Sequence, residues 1–139
     1  MESWNFGVTM KQTGSLKILI VDDEEIVRLT LSAMIDHIGH TAECVNDGLA
    51  GKQTLKNNKY DAAFVDMRMP GLDGIGLLKW SRQKLLDLPV IIMSGHGTED
   101  SRAEALQSGA FAFLSKPFSL VGIKGLIDKI QDNFNAVTA

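Results

Sequence analysis

Short apolar runs alternate with amphipathic segments along almost the whole chain. LKILIVDD, YDAAFVD, LPVIIMS and AFAFLS are nearly continuous apolar runs of strand length, each ending on a polar residue. Such runs predict strands covered on both faces, because a strand with one wet face would alternate apolar and polar positions. HTAECVND is less continuously apolar and reads as an edge strand. Between the runs the apolar spacing becomes that of a helix. In EEIVRLTLSAMIDHIG, Val27, Leu31, Met34 and Ile38 recur at helical intervals, and Gly39 supplies a stop. GLAGKQTLKNN predicts a short, poorly packed helix, and GIGLLKWSRQKLL one built around Ile75, Leu78 and Leu85. TEDSRAEALQSG reads as a short helix capped by Thr98 and ended by Gly109. SLVGIKGLIDKIQDNF sets Leu120, Ile123, Ile127, Ile130 and Phe134 on one face, although Gly122 and Gly125 each weaken it by about 1 kcal/mol relative to alanine. Residues 1–15 carry no period and read as a flexible lead-in, and residues 136–139 as a short tail.

Five strand–helix units in series predict a single α/β domain over residues 16–135. The expected architecture is a doubly wound parallel sheet with right-handed crossovers and helices on both faces. In open sheets of this kind ligands bind beyond the carboxyl ends of the strands. The chemistry therefore belongs just after Val21, Val65, Met93 and Leu114.

Those positions hold Asp22 and Asp23, then Asp66, then Ser94 followed by GHG, then Ser115, Lys116 and Pro117. Each has a plain local reading. Asp22 or Asp23 would cap a helix, and Glu24 and Glu25 would favour its positive end. Asp66 and Ser94 would be turn or cap residues, and Lys116 an extended residue before proline. Taken together they are complementary in a way that independent turn residues have no reason to be. Three acids in one place repel and call for a cation. Oxygen donors of this kind suit Mg²⁺, which keeps waters and bridges carboxylates to phosphates. A lysine, a hydroxyl and free backbone N–H groups suit anionic oxygens. The set would hold a phosphoryl group in line with a carboxylate nucleophile.

Composition narrows the classes. The chain has 139 residues, 45% hydrophobic and 22% charged, which suits one soluble domain rather than a disordered segment. A formal net charge of −3 with scattered Lys and Arg argues against nucleic-acid binding by this chain. The lone Cys44 cannot form an internal disulfide, which fits a reducing cytoplasm. No secretory signal and no run of membrane-spanning length is present, so a cytoplasmic protein without membrane contact is expected. His37, His40 and His96 lack the partners of a metal set and read as solvated.

ILIVDDE, VDMRMPGLDG, IIMSGHG and FLSKPF, in this order and at these separations, resemble the receiver domain of bacterial two-component response regulators. The resemblance runs from about Leu16 to Phe134. It implies a flavodoxin-like sheet of order 2-1-3-4-5. It implies that Asp66 accepts a phosphoryl group from a histidine kinase or a histidine phosphotransfer protein. Asp23 would be the direct Mg²⁺ ligand, with Mn²⁺ able to substitute. Asp22 would act through metal-bound water, and Arg68 through its backbone carbonyl. Ser94 matches the switch hydroxyl, Lys116 the lysine that pairs with the phosphoryl group, and Pro117 a lysine–proline peptide that is usually cis. Phe113 stands at the aromatic switch position, where many relatives carry tyrosine; an ordinary core phenylalanine is the alternative. Arg68 and His96, two residues after Asp66 and Ser94, are expected to slow hydrolysis of the phosphorylated form.

The fourth helix, with little apolar surface, lies between Ser94 and Phe113. Phosphorylation is expected to bias the fourth helix, fifth strand and fifth helix, altering a homodimer or partner surface. Nothing after Phe134 resembles an effector, so the reading is a stand-alone receiver or one cut from a longer chain. SGHGT and FLSKPF look like receivers attached to transcriptional activators, which makes transcription regulation one expected output. The rivals are weaker. A haloacid-dehalogenase-type phosphohydrolase needs an acid where Arg68 stands, and a nucleotide-binding domain needs a glycine-rich phosphate loop that is absent. A receiver-like docking module that works without phosphorylation is the remaining alternative, disfavoured because Asp22, Asp23, Asp66, Ser94 and Lys116 are all present.

Overall fold

The computed structural model describes residues 14–138. Most of the expected lead-in, residues 1–13, lies outside the described residues. Strands β1 (Lys17–Val21), β2 (Thr41–Val45), β3 (Ala62–Asp66), β4 (Val90–Ser94) and β5 (Ala112–Ser115) alternate with five helices. These are α1 (Glu25–His37), α2 (Gly48–Asn57), α3 (Gly74–Lys84), α4 (Glu99–Gln107) and α5 (Leu120–Thr138). All pairings are parallel and the order is β2-β1-β3-β4-β5, as expected. The weakly apolar β2 stands at an edge.

Period-two alternation sends each strand's side chains into two layers. Leu19, Val21, Ala63, Val65, Val90 and Ile92 meet Leu55 of α2, Leu77 and Leu78 of α3 and Ala105 of α4. Ile18, Ile20, Ala62, Phe64, Ile91 and Met93 meet Leu31 and Ile35 of α1 and Ile123, Ile127 and Ile130 of α5. Both β3 and β4 are buried at every position, which is why their sequences do not alternate. Asp47, Asp73 and Thr98 cap α2, α3 and α4, each side chain accepting a backbone N–H of the first turn. Gly39 and Gly109 end α1 and α4 at φ of 96° and 103°, a region costly for residues with a Cβ.

The packing departs from the sequence expectation in four places. In α1 the buried positions are Leu31 and Ile35, with Val27, Met34 and Ile38 at the margin. In α3, Leu77 is buried, whereas Leu85 is a half-buried C-cap residue. The second helix is not poorly packed: a Cβ on Gly51 would stand 3.0 Å from Val21 Cγ2 and 3.1 Å from Leu77 Cδ2. Its missing side chains let the backbone approach the sheet. In α5, Ile123, Ile127 and Ile130 carry the burial while Leu120 is exposed, and the helix runs to Thr138, through residues read from the sequence as tail.

Candidate functional site

Parallel register brings the four strand ends level. Val21 pairs with Val65, Asp66 with Met93, and Ser94 with Ser115. Beyond β1 the chain turns at Asp22, which is fully buried. Its N–H donates to Val45 O, its Oδ1 accepts the Glu24 N–H at 2.9 Å, and its carbonyl accepts from the Arg28 guanidinium at 2.9 Å. Asp22 is thus fixed by its own turn and by α1. Beyond β5, the Lys116 N–H donates to Ser94 O at 2.8 Å, carrying the ladder one residue further. The Lys116–Pro117 peptide is cis.

Lys116 Nζ then reaches back over the sheet. It lies 2.9 Å from Asp22 Oδ2, 3.2 Å from Asp66 Oδ1 and 3.2 Å from Glu24 Oε1. The approach to Asp22 is a charge contact outside hydrogen-bond angles, so Asp22 Oδ2 is buried without a directed donor. Carboxylate oxygens of Asp22, Asp23 and Asp66 all lie within 4.8 Å of one another. An all-oxygen donor set with an undonated buried oxygen fits Mg²⁺, a hard cation.

The charges shift one another. Burial, and then the Asp22 carboxylate, push the Asp66 carboxyl up to about 6, against the pull of the Lys116 ammonium and ahead of a smaller contribution from Asp23. Burial works against the Lys116 ammonium, but its close ion pair with Asp22 and its hydrogen bond and charge contact with Asp66 outweigh it and hold the lysine above its ordinary range.

Ser94 is buried at the end of β4, and its Oγ accepts the His96 N–H at 3.1 Å. Asp23, Asp66, Arg68, Ser94, His96 and Lys116 line one open cleft of about 690 Å³. Phe113 is outside the cleft, half-buried among the α2–α4 layer. It pairs with Ile92, two residues before Ser94, so the two share that face of the sheet. Glu24 was read from the sequence only as a helix-end charge, yet it contacts Lys116; a contact across 92 residues leaves no local signal. His40 is not simply solvated, because its Nδ1 accepts the Leu16 N–H at 2.9 Å.

A model of the response regulator receiver domain matches residues 18–128. Among curated relatives, the transcriptional regulatory protein QseB of Haemophilus influenzae is 33% identical over 108 residues, 78% of this chain and 49% of that protein. The DNA-binding transcriptional regulator NtrC of Escherichia coli is 35% identical over 117 residues, 84% of this chain and 25% of that protein. The chain therefore spans half or less of these relatives. The receiver domain of the Francisella response regulator 1452 superposes with a TM-score of 0.80 at 29% identity, covering 86% of this chain and 98% of that one. A response regulator receiver domain protein from Clostridium thermocellum gives 0.82 at 26% identity, covering 88% and 98%. Fold, strand-end chemistry and sequence agree: the chain belongs to the response regulator receiver domain family, whose general function is to take a phosphoryl group onto an aspartate.

Proposed function

We propose that Asp66 is the phospho-acceptor of this domain, receiving its phosphoryl group from the phosphohistidine of a sensor kinase or phosphotransfer protein. The observation that carries this reading is the position of Asp66. It is a buried carboxylate at the end of the central strand, open to a cleft, with a lysine at 3.2 Å and a serine hydroxyl in the same cleft. An Asp66 carboxylate oxygen attacks phosphorus and forms a P–O bond. The P–N bond to histidine breaks, its electron pair stays on the imidazole nitrogen, and the product is an acyl phosphate. Lys116 faces the transferred oxygens as a counter-charge, and the Ser94 hydroxyl donates to one of them.

Mg²⁺ would be held by Asp22, Asp23 and Asp66 with the Arg68 carbonyl, and when bound it neutralises charge on the phosphoryl oxygens. Arg68 and His96 stand at the cleft as barriers to water, setting the lifetime of the acyl phosphate. Phosphorylation draws Ser94 toward the phosphoryl group and lets the Phe113 ring move on the same face. This biases α4, β5 and α5, which present a surface to an output partner or a second copy of the domain. Support comes from α4, which buries only Ala105 and is lightly anchored. Among the described residues no helix is long and apolar enough to cross a membrane, which is consistent with cytoplasmic signalling. Control of transcription, the role printed for QseB and NtrC, is the proposed output of the whole regulator.

The test is intact mass after incubation with acetyl phosphate, with and without Mg²⁺, beside Asp66→Asn. A Mg²⁺-dependent gain of one phosphoryl group in the wild type alone is expected. Equal gain in the variant would move the acceptor elsewhere, and no gain in either would favour a docking module.

A further inference from the structure

Glu24 precedes α1 and occupies its N-cap in extended backbone, at φ −98° and ψ 120°, yet its side chain makes no capping bond. A polar side chain at this position ordinarily accepts an orphan N–H of the first turn. The Glu24 carboxylate is instead drawn 3.2 Å from Lys116 Nζ, across 92 residues of sequence. An ammonium has three N–H groups. Among the described residues the ion pairs of Lys116 are with Asp22, Asp66 and Glu24, and its directed hydrogen bonds go to Asp66 and Glu24, so Glu24 holds one of the three N–H groups.

The three acids differ in how readily they can release the lysine. Asp22 is fully buried and tied by the Glu24 N–H and through its carbonyl to Arg28. Asp66 is buried at the end of the central strand. The Glu24 side chain is 59% exposed, so water replaces the lysine when it leaves. We propose that Glu24 is a positioning residue, a resting latch that occupies one N–H of Lys116 and releases it to an incoming phosphoryl group. The proposal rests on the reading of Asp66 as acceptor. It makes the lysine's availability, and not its presence alone, a determinant of phosphorylation rate.

The test compares the rate of phosphorylation by acetyl phosphate with Mg²⁺ in wild type, Glu24→Gln and Glu25→Gln. Glu25 is exposed, carries the same charge one residue on and is not among the ion-pair partners of Lys116, so it reports the general loss of negative charge. Both variants change exposed positions, and folding should be unaffected. Glu24→Gln is expected to react about two- to fivefold faster than Glu25→Gln, the range open to an exposed ion pair. The ¹⁵N resonance of Lys116 Nζ in the unphosphorylated protein should move in Glu24→Gln and stay in Glu25→Gln. A phosphorylated wild type whose two variants react alike, or a Lys116 resonance indifferent to Glu24, overturns the latch alone. A wild type that takes no phosphoryl group overturns the acceptor reading and the latch with it.

Discussion

Lys116 Nζ stands 3.2 Å from Asp66 Oδ1, joining two residues 50 positions apart in the lining of the cleft. The lysine is the internal counter-ion of an acidic cluster. Lys116→Met should therefore cost on the order of 3 kcal/mol in chelator, because Asp22 and Asp66 are left buried without a cation. Part of that loss disappears at low pH, where a carboxyl takes up a proton. Urea titrations at pH 5 and pH 8 check this, and Mg²⁺ should restore more stability to the variant than to wild type. An equal Mg²⁺ response in both would show that the lysine does not neutralise the cluster.

The raised proton affinity of Asp66 sets a second expectation. Its carboxyl titrates at about 6 in the fold and at 3.8 ordinarily, so between these values the folded protein binds more protons than the unfolded chain. Stability contributed by this group is present below about 3.8 and is lost as pH rises to about 6. Asp66→Asn should then be more stable than wild type at pH 7.5 without divalent cation, by about 1–3 kcal/mol. The difference should shrink toward pH 4. Denaturant midpoints across that window provide the measurement.

Gly74, at the start of α3, holds the end of β3 by close approach. A Cβ there would stand 2.1 Å from the Asp66 carbonyl oxygen and 2.9 Å from Met67 Cα, both backbone atoms that cannot swing aside. Gly71 in the same loop has φ +74° but open space around a Cβ. Gly71→Ala should cost only its backbone strain, about 1 kcal/mol. Gly74→Ala should cost more, about 2–3 kcal/mol, and weaken Mg²⁺ binding because Asp66 shifts. Unfolding midpoints and calorimetric Mg²⁺ titration separate the two.

His40 gives a pH dependence remote from the cleft. Burial lowers its proton affinity, opposed by Asp128 and Asp61 and reinforced by Lys124, and its Nδ1 must be unprotonated to accept the Leu16 N–H. The stability it contributes is complete above about pH 6.5 and falls as pH drops below that value, where the unfolded chain protonates first. His40→Asn, which keeps an acceptor without a titrating group, should flatten the stability curve between pH 7 and pH 5.

The sheet was legible because strands covered on both faces have few alternatives to continuous Val, Ile, Leu, Ala and Phe. Once strand ends were located, Asp22, Asp23, Asp66, Ser94 and Lys116 followed, since a parallel sheet puts those ends at one edge. Helix faces were read less well. Apolar spacing in α1 admits either Val27 or Ile35 as the inner residue, and only docking on Ile18 and Ile20 selects Ile35. Gly51 and Gly74 were read past because their function is to bring nothing, and closeness of approach leaves no mark on hydrophobicity. Glu24 was assigned to its own helix end because local rules offer it a cap, whereas its partner comes from the last strand–helix connection.

The central strand has a further consequence. β3 is bonded to β1 on one side and β4 on the other, and every one of its residues is buried. A slip of one residue would turn all five side chains to the wrong layers, so the strand has a single admissible register. The Asp66 carboxylate is therefore the stationary point of the domain. On the proposed acceptor reading, new charge arriving there would meet a strand that cannot yield, and the recoil would pass to the lightly seated α4 and the side chains facing the cleft. A rigid anvil under a yielding rim would turn a local chemical event into a change of outer shape.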